Sequence, residues 1–317
     1  MVPPWFPEDW HMMPTQSCSF RSLTTCLAVA AAIGTASADW VTTTVPVGSG
    51  PWAAALNPVT NKLYVANNVS NNVSVIDAAT NETTAVAAGS NPYAVAVNPI
   101  TNKIYVANYG SGNVTVIDGA TNDTALVAAG ANPCAAAVNA ATNRIYIAND
   151  GSNSVTVIDG TTNETTMVAA GDSPCAVAVN PVTNKIYVAN RGSNNVTIID
   201  GATNDTTSVP AGTLPNAVAV NVVTNRIYVA NGGSNSVVVI DGATKDNAGT
   251  PAGSSPGGVA VNPVTNRVYV ANSGSDNVTV IDGATNDTTL IPVDSQPRTV
   301  TVNPVTDKVY VANWHGG

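Results

Sequence analysis

From about residue 41 onward the apolar positions come in short runs, never at the three-to-four spacing of a helix. Between residues 93 and 130 the runs read YAVAVN (93–98), KIYVAN (103–108), NVTVID (113–118) and TALVAAG (124–130). Valine, isoleucine, threonine and tyrosine dominate them. They alternate at period two or are continuously apolar, as half-buried and fully buried strands do. The intervening N-P-I-T-N, Y-G-S-G and D-G-A-T-N-D segments carry the residues that tight turns select. The pattern predicts four short strands within about 40 residues, a unit too small to bury its own faces.

That unit recurs. The tyrosines of the [VIL]-Y-[VI]-A-N phrase are Tyr64, Tyr105, Tyr146, Tyr187, Tyr228, Tyr269 and Tyr310, each 41 residues after the last without insertion or deletion. Length alone would suggest about two domains, but a period of this size overrides that prior. Seven four-stranded units stacked radially predict an all-β fold, a seven-bladed β-propeller. The phrase Y-V-A-N followed by V-I-D-G-A-T-N resembles the YVTN-type β-propeller repeat of archaeal surface-layer proteins and bacterial periplasmic propellers. The match runs over residues 41–317, with Ala where that family's phrase has Thr in all seven copies. The resemblance implies a propeller outside the cytoplasm. It implies no single activity, because propellers host many.

Residues 1–38 read as a leader, and residues 39–317 as the propeller. Arg21, an apolar run from Leu27 to Ile33 and Ala36-Ser37-Ala38 form a secretory signal, with translation expected to start at Met12 or Met13. The apolar run is too short to span a bilayer, and the mature chain shows no transmembrane segment. Residues 41–47, VTTTVPV, match the fourth strand of a unit, so the N-terminus is expected to supply the outer strand of blade seven. The third strand, V-I-D, occurs only six times. Blade seven therefore either lacks a strand, exposing unpaired edges, or continues past Gly317; we expect the latter.

Charge and composition narrow the function. The formal charge is −9; without Arg21, Glu8 and Asp9 of the leader, ten basic residues face eighteen acidic ones. Seven of those ten stand two residues before the repeat tyrosines: Lys62, Lys103, Arg144, Lys185, Arg226, Arg267 and Lys308. Spread evenly, they form no basic stripe, which argues against a nucleic-acid partner. The mature chain has one histidine, His315, and two glutamates, Glu82 and Glu164. The usual reagents of nucleophilic and acid–base catalysis are thus nearly absent. No calcium-loop spacing and no histidine–cysteine cluster points to a metal or other cofactor. Ten N-x-[ST] sequons follow from the repeat's own turn and strand residues.

The most informative positions are those that vary while the rest is copied. Turns after strands one and three share one end of the blades, and they barely change. At the opposite, upper end, the residue after each strand-one proline reads Trp52, Tyr93, Cys134, Cys175, Asn216, Gly257, Arg298. The residue after each A-N reads Asn68, Tyr109, Asp150, Arg191, Gly232, Ser273, Trp314. Both tyrosines outside the repeat phrase fall here, as do two of three mature tryptophans. Aromatics and arginine anchor interfaces, and loops on rigid scaffolds commonly carry function. Trp52, Tyr93, Tyr109, Asp150, Arg191, Arg298 and Trp314 are therefore the candidate binding residues. Cys134 and Cys175, in equal phase in adjacent units, are a candidate disulfide pair if their Cα atoms approach within about 7 Å.

The sequence reads as an exported, non-enzymatic binding or scaffolding module at the periplasm, cell surface or outside the cell. Its expected partner is a protein or a cell-envelope glycan, with no cofactor. Two rival readings remain: a propeller lyase or lactonase, which would need reagents not found near the channel, and a self-associating surface-layer brick.

Overall fold

The structure, a computed structural model, describes residues 44–315. The leader, its signal and the alternative starts at Met12 and Met13 lie outside these residues, as do Val41–Thr43 of the VTTTVPV segment. Among the described residues the strands form six four-stranded antiparallel sheets and one two-stranded sheet. Sheet one consists of Pro51–Asn57, Lys62–Asn67, Asn72–Asp77 and Thr83–Ala87, each paired with the next. Sheets two to six repeat it every 41 residues, and sheet seven has only Ser295–Asn303 and Lys308–His315.

The turns explain the asparagines. Asn61, Asn71 and Asn81 close the three turns of sheet one with φ of 53°, 54° and 62°, a left-handed conformation that asparagine tolerates better than most residues. The aspartate ending each third strand caps the turn that follows: Asp77 Oδ1 accepts the N–H groups of Ala79 and Thr80 at 2.8 and 3.2 Å. The same backbone donors hold the Asp159 carboxyl below the usual carboxylate range. At Asp200 the leading cause of that lowering is Lys185, 2.6 Å away.

The core lies between sheets. Tyr64, Ala66, Val73, Val75 and Val86 of sheet one pack on Ile104, Val106 and Ile117 of sheet two, and equivalent clusters follow at each junction through sheets five and six. Successive first strands lie beside one another. Repeated antiparallel sheets packed face to face in chain order are consistent with a β-propeller.

Polar braces tie neighbouring sheets at the lower end. Asn57 Nδ2 donates to Asn102 Oδ1 at 2.8 Å, and five further pairs repeat the contact through Asn262 and Asp307. The evenly spaced cations also serve here. Lys62, Lys103, Arg144 and Arg226 each donate to the carbonyl of the glycine that follows the third-strand aspartate of the next sheet. Their even spacing therefore has a structural cause.

Of the N-terminal segment, Val45 lies among the described residues. It packs on Leu63, Val65 and Ile76, the place that Val86, 41 residues later, takes against Ile104, Val106 and Ile117. Sheet one is thus flanked by a residue in the outer-strand phase of a preceding unit. No helix among the described residues is long and apolar enough to cross a membrane.

Candidate upper-end binding site

The two variable positions meet at one end of the sheets because the backbone joins them. Tyr109 N–H donates to the Asn91 carbonyl at 2.9 Å, Asp150 N–H to Asn132 at 3.0 Å and Arg191 N–H to Ser173 at 2.9 Å. The acceptor in each case is the residue just before the strand-one proline. Each turn after strand two is thereby docked onto the start of strand one.

A feature invisible in the sequence sets the direction of the side chains. In every sheet the pairing of strands one and two slips between the proline and the second residue after it: Pro51 pairs with Asn67, yet Ala53 pairs with Ala66. The residue between is a β-bulge, left out of the ladder. Trp52, Tyr93, Cys134, Cys175, Asn216, Gly257 and Arg298 all occupy that bulge. Bulges re-aim a side chain and free it from cross-strand pairing constraints, which explains why this position varies while its neighbours are copied.

The bulge residues divide into two kinds. Cys134, Cys175 and Asn216 turn to the adjacent sheet: Cys134 Sγ donates to the Pro174 carbonyl at 3.1 Å, Cys175 Sγ to Pro215 at 3.1 Å and Asn216 Nδ2 to Pro256 at 3.2 Å. The candidate disulfide is accordingly not formed; both cysteines are free. Related by one repeat, the two thiols point the same way along the series of sheets, each towards the next proline carbonyl, and so do not face each other. Burial pushes the Cys134 thiol up to about 12, with the neighbouring Cys175 and Asp150 adding to it. Burial likewise raises Cys175 to about 11, against the lowering effect of Arg191.

Trp52, Tyr93 and Arg298 behave differently. The Trp52 ring lies 4.9 Å from that of Tyr93 at an interplanar angle of 39°, and Tyr93 lies 5.4 Å from Tyr109 at 34°. Three aromatic rings from two sheets therefore form one continuous shelf, within the centroid range of favourable ring pairs. Trp52 remains 53% exposed, so the shelf is open on one side. Burial, then the neighbouring Cys134 and Tyr109, raise the Tyr93 phenol above its ordinary value, with Asp150 adding to the shift; this places Asp150 within electrostatic reach of the shelf. In sheet seven the Arg298 guanidinium sits 5.2 Å from the centre of the Trp314 ring, a cation–π arrangement. Trp314 is 37% exposed. Asp150 begins a short 3-10 turn, Asp150–Ser152, and is half-buried; Arg191 is exposed.

No family model and no curated protein matches the chain. Among solved structures it is similar to a chain of the hydrazine synthase of Kuenenia stuttgartiensis, at 21% identity and a TM-score of 0.67, over 83% of this chain and 95% of that one. That likeness shows the fold alone. The chemistry must come from the site itself. Among the described residues no cluster of three or more His, Cys, Asp or Glu could hold a metal ion. What the upper end offers is an aromatic shelf on sheets one and two with the Asp150 carboxylate in electrostatic reach, and a separate Arg298–Trp314 pair on sheet seven; such a shelf is suited to holding a planar or ring-shaped apolar face beside a polar group.

Sequence reasoning identified these positions by their variability. It missed the bulge that causes the variability and the asparagines that support the shelf. Asn132 Nδ2 donates to the Tyr109 carbonyl at 3.3 Å and Asn91 Nδ2 to that of Asn68 at 3.2 Å. Their signal was present: both stand directly before a strand-one proline, where other copies have Gly, Ser, Leu or Gln.

Proposed function

We propose that this chain is an exported seven-bladed β-propeller of the YVTN repeat type. In this reading it acts as a non-enzymatic binding or scaffolding module that holds a protein or cell-envelope glycan on its upper end. The observation that carries the reading is the aromatic shelf of Trp52, Tyr93 and Tyr109, two members of which sit at or beside β-bulges that aim them out of the ladder. Large rigid aromatics give contact area at little entropic cost, and exposed groups of them mark binding surfaces.

Binding is tested with the chain immobilised beside a variant in which Trp52, Tyr93, Arg191 and Trp314 are all alanine, both showing the same β-type circular dichroism. Envelope extract, divided into protein and polysaccharide fractions, is passed over each. The parent is expected to retain a species at least tenfold better than the variant. Equal retention by both would overturn the upper-end site.

Ring closure has its own test. The lower-end braces join residues 45 apart, as in Asn98 Nδ2 to Asn143 Oδ1 at 2.8 Å. Carried round a seven-membered ring, the same step brings Asn303 to Asn61. Asn61→Cys with Asn303→Cys is expected to oxidise to an internal disulfide as fully as the control pair Asn98→Cys with Asn143→Cys, read as a mobility shift without reductant. A cross-link in the control alone would mean that the ring is open.

A further inference from the structure

Five junctions join the six complete sheets, and four of them carry the same lower-end brace. A basic residue opening the second strand donates to a glycine carbonyl 57 residues on: Lys62 to Gly119 at 3.2 Å, Lys103 to Gly160 at 3.1 Å, Arg144 to Gly201 at 3.0 Å and Arg226 to Gly283 at 2.6 Å. At the junction of sheets four and five the brace is missing. Lys185 turns its ammonium to Asp200 of its own sheet, at 2.6 Å. The Gly242 carbonyl, its counterpart in sheet five, takes no side-chain donor among the described residues.

A second departure falls at that junction. The turn after the third strand holds Asn81, Asn122, Asn163, Asn204 and Asn286 in five sheets, with φ between 62° and 65°, and Lys245 in sheet five with φ of 67°. Lysine tolerates this left-handed conformation less well than asparagine. The turn is nevertheless unchanged: Lys245 N–H donates to the Asp241 carbonyl at 2.8 Å, as Asn204 N–H does to that of Asp200. The fold therefore gains nothing from the lysine. Its ammonium makes no hydrogen bond or ion pair among the described residues, and strained positions of this kind gather at ligand-binding sites.

Both departures border one cleft. It measures about 130 Å³ and is lined by Lys185, Asp200, Gly242 and Lys245, with the buried Ile198 among them. Asp205 and Thr207 complete the lining. Two ammonium groups and two carboxylates leave the wall without net charge. A lone anion would meet Asp200 and Asp205, and a lone cation would meet Lys185 and Lys245. The repeat itself shows what Gly242 accepts, because Gly119, Gly160, Gly201 and Gly283 each take an ammonium or guanidinium donor. Lys245, by contrast, offers a cation to an incoming anion.

We propose that this cleft binds a small zwitterion, a molecule that carries a primary ammonium and a carboxylate. The ligand ammonium donates to the Gly242 carbonyl, the place a lysine or arginine takes at the four braced junctions, with Asp205 as the nearby counter-charge. The ligand carboxylate accepts from Lys245, with the Thr207 hydroxyl as a further donor. Hydrogen bonds between ionised groups are the stronger kind, and each of the two is lost if the ligand lacks one charge. The site stands apart from the upper-end shelf, at the opposite end of the sheets, and rests neither on that reading nor on ring closure.

The probes are L-alanine, β-alanine and γ-aminobutyrate, whose two charges stand at increasing separation, titrated into the full chain labelled with carbon-13 at the lysine ε carbons. Saturable movement of the Lys185 and Lys245 resonances is expected with at least one of them, and acetate and ethylammonium should bind at least tenfold more weakly. Lys245→Asn installs the residue that the other five copies carry, so the turn is retained; read on Lys185, it should weaken binding at least tenfold. Lys185→Arg supplies the side chain that braces Gly201 and Gly283, and should weaken binding, read on Lys245, by occupying the Gly242 carbonyl. Absence of saturable movement with all three probes would overturn the proposal, as would equal binding by the parent and either variant. Acetate binding as tightly as the zwitterions would overturn it in favour of a simple anion seat.

Discussion

Ile199→Ala is expected to cost about 2–5 kcal/mol of folding free energy, measured by denaturant unfolding. Ile199 is fully buried and sits in the junction of sheets three and four, against Tyr146, Val155 and Val168. Close-packed interiors relax only partly around a deleted side chain, so lost transfer energy and residual cavity add. A repeat protein offers a sharper form of this experiment, because one substitution can be made at equivalent sites whose surroundings differ. Val270 and Val311 are such a pair, 41 residues apart on the second strands of sheets six and seven. Val270 is 0% exposed and Val311 half-buried. Val270→Ala should cost about 1.5–3 kcal/mol and Val311→Ala under about 1 kcal/mol. Equal losses would mean that Val311 is as closely packed in solution as Val270.

The pair also shows what could be read from the sequence. Strand spans, turns and the repeat were legible because each rests on local chemistry: two-residue alternation in KIYVAN, and asparagine at turn positions that require positive φ. The six-fold count of V-I-D strands was equally plain, and among the described residues sheet seven has two strands. The cations two before each tyrosine were correctly set aside as a repeat feature, but their partners lie 57 residues away in the next sheet for Lys62, Lys103, Arg144 and Arg226. A non-local contact of that kind leaves no local signature.

The upper end was half legible. Variation at residues 52, 93, 134, 175, 216, 257 and 298 marked the positions, yet nothing in their composition separates Cys134 and Cys175 from Trp52 and Tyr93. The distinction appears only when the bulge aims each side chain. The two thiols reach proline carbonyls of the next sheet, whereas the rings of Trp52 and Tyr93 reach each other across a sheet junction. The stacked aromatics therefore concentrate on sheets one and two, and the same position in sheets three and four serves packing.

The thiols carry the other large expected effect. With Cys134 raised to about 12 and Cys175 to about 11, their thiolate fractions at pH 8 fall about three and a half and about two and a half orders of magnitude below that of an ordinary thiol near 8.5. The thiolate is the reacting species, so alkylation of the folded chain at pH 8 is expected to be slower than that of the denatured chain by at least a hundredfold at both sites, and slower at Cys134 than at Cys175. Arg191 lowers the Cys175 value; Arg191→Ala should therefore slow alkylation at Cys175 and leave Cys134 unchanged. The sign of the stability effect follows from linkage. Below the ordinary thiol value both folded and unfolded chains hold these protons, and the buried neutral thiols cost nothing. As pH rises from about 8.5 towards 11 and 12, the unfolded chain releases protons that the folded chain retains, and stability falls through that window. Burial raises the Tyr105 phenol to about 12 as well, which extends the loss at its alkaline end. Replacing both cysteines with alanine should flatten the first part of the decline, followed as the urea midpoint between pH 8 and pH 11. A parent whose midpoint stays constant over that range, or whose cysteines alkylate at pH 8 as fast as the denatured chain, would show that the two thiols are not held between the sheets as described.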